Sequence, residues 1–266
     1  MLLLLSAWSV GYELCDTLLP GLGRTVAFSG IAPDIAFATA GLMLIVRGFR
    51  GERAWSLIGV GTLCWAGGDT YWTLKLSHLS SPPVPSWADL GYLSFCPLAF
   101  AGILALVRRR ASGAPRTLVA DAFAAALAVG SLSAAVVVQP VLAHAAGGAL
   151  AVATNMAYPV SDLLLLGLIV GATALGNWRL NHTWLLLAAS VIVFWIADSL
   201  YLVTDASGTY QLSAWFNPLW YWSPVLAAWA AWLPRAPAVR AQEAAAGTRG
   251  IVLPLGFALG ALAILV

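Results

Sequence analysis

Charge is what this sequence lacks. Only 9% of its 266 residues are Asp, Glu, Lys or Arg, while 61% are apolar. A soluble domain carries about 25% charged residues. Thirteen Lys/Arg and eleven Asp/Glu therefore cannot cover a water-facing surface of this size. That excludes an ordinary soluble enzyme, a nucleic-acid-binding domain and a disordered chain, and it leaves a polytopic membrane protein. Cysteine is scarce as well. Cys15, Cys64 and Cys96 lie in apolar runs without a C-x-x-C pair and read as packing residues. His78, His144 and His182 have no metal-ligand spacing, so no metal site is expected and no cofactor is implied. P-loop, nucleophile-elbow and H-E-x-x-H motifs are missing, so no catalytic residue is assigned. No basic region precedes Met1-Leu2-Leu3-Leu4-Leu5, which reads as the start of a membrane helix rather than a cleaved signal.

What the sequence has is long apolar runs. A helix crosses the hydrocarbon core in about 20 residues. Polar punctuation predicts an all-α, polytopic transmembrane helix bundle with eight full spans. They run over Leu2–Leu19, Val26–Val46, Trp55–Leu76, Trp87–Val107, Leu118–Leu142, Val152–Leu175, Trp184–Val203 and Trp215–Leu233. A ninth, Ile251–Val266, is short for a full span, so the chain reads as a piece of a longer protein. Residues 1–144 then hold the first membrane repeat and the start of the second (spans one to five), and 145–234 hold spans six to eight. Residues 235–250 form a cytoplasmic linker, and 251–266 start a further span.

The basic residues predict the orientation. Arg47, Arg50 and Arg53, then Arg108, Arg109, Arg110 and Arg116, then Arg179, then Arg235, Arg240 and Arg249 all fall in links on one side. Arg24 and Lys75 alone fall on the other. The amino terminus is expected in the cytoplasm.

The chain also repeats itself. Trp55 through Asp69 parallels Trp184 through Asp198, with both separations equal to 129 residues (184 − 55 and 198 − 69). Ala32-Pro33-Asp34 resembles Ala157-Tyr158-Pro159 with Asp162 following, and Ser86-Trp87-Ala88-Asp89 resembles Ala214-Trp215-Phe216-Asn217. Two parallel four-helix repeats about an axis along the membrane normal are expected.

Acids inside a bilayer need a reason, because each costs about 2.5–3.5 kcal/mol near the centre. Asp34, Asp69, Asp89, Asp162 and Asp198 gather in the predicted outer half, with Glu13 and Asp16; Asp121 alone falls near the cytoplasm. One reading makes them interhelical hydrogen-bonding groups and the nearby aromatics an interfacial belt. The sharper one is an outward-facing acidic and aromatic cavity for a small extracellular ligand, a cation or a proton. Its candidate residues are Asp34, Asp69 and Asp89 in one repeat and Asp162, Asp198 and Asn217 in the other. Tyr71, Trp72, Tyr201 and Trp222 are its expected walls.

Three stretches carry a resemblance: Ala153-Thr154-Asn155-Met156-Ala157-Tyr158-Pro159-Val160-Ser161-Asp162, Phe194-Trp195-Ile196-Ala197-Asp198-Ser199-Leu200-Tyr201, and Leu118-Val119-Ala120-Asp121-Ala122. They resemble the multispanning amino-terminal region of actinobacterial GGDEF and GGDEF–EAL proteins, which make or degrade cyclic di-GMP. The resemblance implies a bacterial cytoplasmic-membrane protein whose catalytic output domain lies beyond the carboxyl terminus, with no enzyme in this chain. Neither a GGDEF nor an EAL motif is present. The leading expectation is a membrane sensor or anchor module of a cyclic di-GMP signalling protein. A small-molecule or ion transporter or channel is the alternative, and a passive anchor the third. The lipid bilayer is the one firm partner; a homodimer stays open, and no nucleic acid is expected.

Overall fold

The structure is a computed structural model that describes residues 1–18, 31–79, 81–111, 148–175, 181–210 and 214–234. Among these residues every regular element is helical. In chain order they are α1 (Leu2–Leu18), α2 (Ala32–Phe49), α3 (Arg53–Tyr71), α4 (Trp87–Ala111), α5 (Ala149–Leu175), α6 (His182–Ala206) and α7 (Asn217–Trp232). A π-helical turn, Trp72–Leu76, prolongs α3. Expected spans five and nine, the 235–250 linker, Arg24, Asp121, His144 and Arg179 lie outside the described residues.

Four of the helices are long and apolar enough to cross a membrane: Ala32–Phe49, Trp87–Arg109, Ala149–Thr173 and His182–Asp205. The exposed side chains agree with a lipid surround. Leu42, Phe49, Leu57, Leu90, Leu164, Leu185 and Ile192 point outward, while Asp34, Thr62, Asp162, Ser190 and Ser223 are buried. A water-soluble bundle has the opposite polarity. α3 is less apolar because Gly59, Gly61, Gly67, Gly68 and Asp69 interrupt it.

Of those glycines, Gly59, Gly61 and Gly68 let α2 and α4 approach α3 closely, so that α3 sits at the centre of its half. α3 packs along both α2 and α4, and α6 packs along α7 and α5. Two further contacts join the chain's halves: α4 against α5, and α2 against α7. The main core cluster runs across that junction, with Leu44, Trp55, Ile103, Leu165, Leu187 and Ala230 among its members. α1 lies on α2 and α7, held by Trp8 Nε1 donating to Ala32 O and Trp229 Nε1 donating to Ser6 Oγ.

The basic end of the bundle is tied by one carboxylate. Glu52 accepts from Trp55 Nε1 at 3.0 Å and pairs with Arg47 at 3.4 Å and Arg109 at 3.6 Å. Arg47 also donates Nε to Ala231 O on α7 at 2.7 Å, and Arg50 lies over the Trp232 ring. The Arg47 side chain is 13% exposed and that of Arg109 is 58% exposed. Glu52→Ala takes the carboxylate from the half-buried guanidinium and the acceptor from an indole N–H, so thermal unfolding in detergent is expected to show a loss of about 1–3 kcal/mol. Arg109→Ala removes a solvent-screened pair and is expected to cost less than about 1 kcal/mol. Equal losses would mean that Arg47 draws its stabilisation elsewhere.

Candidate functional site

The aspartates meet in two pairs. Asp34 is the third residue of α2 and Asp69 lies two residues before the end of α3. Because these neighbouring helices run antiparallel, the two carboxyls reach the same level and come within hydrogen-bonding reach of each other. Asp34 Oδ2 accepts from Thr70 Oγ1 at 2.7 Å, and Asp69 Oδ1 accepts from the Tyr92 hydroxyl of α4 at 2.8 Å. Asp34 Oδ1 is buried and receives no N–H or O–H.

The second pair is Asp162 of α5 with Asp198 of α6, again carboxyl to carboxyl. Asp198 Oδ1 accepts from Trp220 Nε1 of α7 at 2.6 Å. Asp162 is thirteen residues from each end of α5 (162 − 149 and 175 − 162), so it sits at the middle of that helix. Tyr92 and Trp220, the two donors, are separated by 128 residues (220 − 92), as are Asp89 and Asn217 (217 − 89).

Asp89 has a different job. Ser86 is the residue before α4, and its Oγ accepts from Ala88 N while Asp89 Oδ2 accepts from Ser86 N at 2.6 Å. This is a reciprocal capping box, S-x-x-D, at a helix start. The other Asp89 oxygen accepts from the Tyr158 hydroxyl of α5 at 2.7 Å, across the junction between the halves. Tyr158 in turn lies within electrostatic reach of Asp198 and Tyr201. Asn217 is hydrogen-bonded to Tyr210.

The expected walls divide. Tyr201 stands against Tyr210 (ring centroids 4.9 Å apart) and Trp220 (5.7 Å), so it does flank the second pair. Trp222 packs instead on the cluster of Leu5, Ala36, Ala40, Met43, Val225 and Ala228 between α1, α2 and α7. Tyr71 lines an open groove on the outer face of α3 and α4 with Cys64, Gly67, Trp87, Leu90 and Ser94. No aspartate lines that groove. Trp72 opens the π-helical turn and is half-buried. Among the described residues the paired acids therefore sit inside helix–helix contacts, and none lines the open groove.

Thr70, Tyr92, Tyr158 and Trp220 were not among the candidate site residues, and they supply the donors. Tyr92 and Trp220 had a signal, the 128-residue separation they share with Asp89 and Asn217. The capping box at Ser86 was also readable. Tyr158 had none, because its bond to Asp89 depends on how the halves dock. A small void lies between the halves, bounded by Thr62, Phe95, Leu187, Ser190 and Ser223, with about 20 Å³ of room, enough for one water. Ser190 and Ser223 face each other across it, hydroxyl to hydroxyl, at 3.2 Å.

Chemically, each pair offers acceptors to one another. Two carboxylates cannot hydrogen-bond without a proton between them. A hydrogen bond between the two carboxyls of either pair therefore needs one of them protonated. No protein-family model matches the chain, and no curated protein or solved structure matches it either.

Proposed function

We propose that this protein is a membrane sensor or anchor module in which protons, bound between paired aspartates, bias the packing of two parallel repeats. The observation that carries this reading is the recurrence of one arrangement in both halves: an acid on one helix, an acid on the next, and a ring donor on the third. The helix contacts support it. Exchanging α2, α3 and α4 for α5, α6 and α7 turns the α4–α5 contact into the α7–α2 contact, and both are present. That is the pattern of a two-fold relation between parallel repeats. Protonation changes whether a pair attracts or repels itself, and a buried pair feels that strongly. The bond from Tyr158 to Asp89 lies on the junction that would move.

The predicted orientation puts Asp34 and Asp69 in the outer part of the bilayer and Asp162 at mid-helix, with the amino terminus and the Glu52 cluster cytoplasmic. The link to a cyclic di-GMP output domain rests on the sequence resemblance alone.

The test measures movement. Spin labels at Leu90 of α4 and Leu164 of α5, both outward-facing, report the separation of the halves in nanodiscs. Cys15, Cys64 and Cys96 are replaced by Ala first. The distance distribution is expected to shift as pH is lowered, and to stop shifting in Asp69→Asn and Asp198→Asn together. A distance that ignores pH, with the same substitutions lowering only thermal stability, would establish the passive anchor. Solute or proton flux in liposomes, lost in both variants, would establish the transporter.

A further inference from the structure

The two carboxyl pairs share their acids and differ in their donors and in one orphaned carboxyl oxygen, Asp34 Oδ1. We propose that exchangeable proton binding belongs to Asp34–Asp69, positioned by Thr70 and Tyr92, and that Asp162–Asp198 is a fixed structural pair. This assignment rests on the sensor reading above and says which of its two sites is used.

Saturation comes first. Asp34 is 6% exposed, and its Oδ1 receives no N–H or O–H. The acid within hydrogen-bonding reach is Asp69. A buried acceptor left in that state costs about 1–3 kcal/mol. One proton removes the cost. A hydronium ion gives its proton to one carboxyl of the pair and leaves as water. One O–H bond forms, and it donates to the other carboxyl.

Donor chemistry points the same way. Thr70 and Tyr92 are hydroxyls, able to donate or accept and to rotate as the pair gains or loses its proton. The indole of Trp220 donates only. It is held at 2.6 Å from Asp198 and walled by the rings of Tyr201 and Phe216.

Other titratable groups face the first pair. α4 supplies Tyr92, and α7 supplies Tyr221 within electrostatic reach of both Asp34 and Asp69. α1 brings Tyr12 against Tyr221, with Glu13 adjacent in sequence. The segment after α6 brings Tyr210 within reach of Asp69, and α5 brings Tyr158 within reach of Tyr92. None of these groups is a cation, so none competes with a proton as the counter-charge.

Infrared difference spectroscopy of the whole chain in lipid vesicles, between neutral and acidic pH, tests the assignment. The wild type is expected to gain a protonated-carboxyl C=O band. Asp34→Asn and Asp69→Asn are expected to abolish it, while Asp162→Asn and Asp198→Asn retain it. Should an Asn variant fail to fold, Tyr92→Phe and Trp220→Phe decide. The first is expected to shift the band and the second to leave it in place. A band that survives in folded Asp34→Asn and Asp69→Asn, is lost in Asp162→Asn or Asp198→Asn, or answers to Trp220 rather than Tyr92 overturns the assignment alone. A wild type without any pH-dependent band overturns the sensor reading with it.

Discussion

Gly68→Ala is expected to lower the stability of the bundle by about 1–3 kcal/mol or more, while Gly67→Ala beside it is neutral or stabilising by up to about 1 kcal/mol. The two glycines are consecutive on α3 and point about 100° apart. A Cβ on Gly67 meets nothing within 4 Å. A Cβ on Gly68 would stand 2.7 Å from the Ala88 carbonyl oxygen and 3.2 Å from both Gly91 Cα and Tyr92 Cδ1. Two of these neighbours are α4 backbone, which cannot rotate aside as a side chain can. The reciprocal substitution is as severe, since a Cβ on Gly91 would be 2.7 Å from Gly68 Cα and from the Cys64 carbonyl oxygen. α3 and α4 therefore touch backbone to backbone at this level, as small residues allow in membrane bundles. The adjacent Asp69 accepts from the same Tyr92 that the new methyl would push. Thermal unfolding of the two variants in one detergent separates the effects. If Gly67→Ala proved as damaging as Gly68→Ala, helix propensity or lipid contact would govern this region and the close approach would not.

Much of the bundle was legible because scarcity of charge makes the remaining polar residues punctuation. Expected spans Trp87–Val107, Val152–Leu175 and Trp184–Val203 became Trp87–Ala111, Ala149–Leu175 and His182–Ala206. Each helix runs a few residues past the apolar stretch at one or both ends, since backbone hydrogen bonding does not stop where hydropathy does. That Asp34 and Asp69 share a level was legible too, because position along a helix follows from 1.5 Å per residue. Azimuth was not. Neighbouring residues on a helix point about 100° apart, and a membrane helix buried on several sides has no strong apolar stripe to set its rotation. Thr70 thus faces Asp34 while its neighbour Tyr71 lines the outer groove. Asp89 shows a different loss. By charge it belongs with the other acids, whereas the spacing Ser86-x-x-Asp89 before an apolar run describes a cap.

Asp162 and Asp198 are expected to couple strongly when both are replaced by Leu. Each single substitution leaves orphans. Asp198→Leu deprives Trp220 Nε1 of its acceptor and leaves Asp162, 2% exposed, without the carboxyl it meets. Asp162→Leu leaves Asp198 with the indole alone. Each is expected to cost about 1–3 kcal/mol, the penalty for a buried polar group that has lost its partner. The double variant removes both carboxyls and fills their volume with hydrocarbon, and well-packed apolar replacements of a buried pair are often close to neutral. Its one remaining orphan is the Trp220 N–H, which Asp198→Leu already has. The double variant is therefore expected to cost no more than Asp198→Leu alone, so the losses fall short of additivity by about 1–3 kcal/mol. A chemical-denaturation cycle on the four proteins measures that shortfall directly. Strictly additive losses would mean that the two acids do not share a site, and the pairing of α5 with α6 at mid-helix would have to be abandoned. Coupling without any effect on pH-dependent movement is the behaviour expected of the fixed pair, and it separates that pair from Asp34–Asp69, where replacing either acid should silence the response.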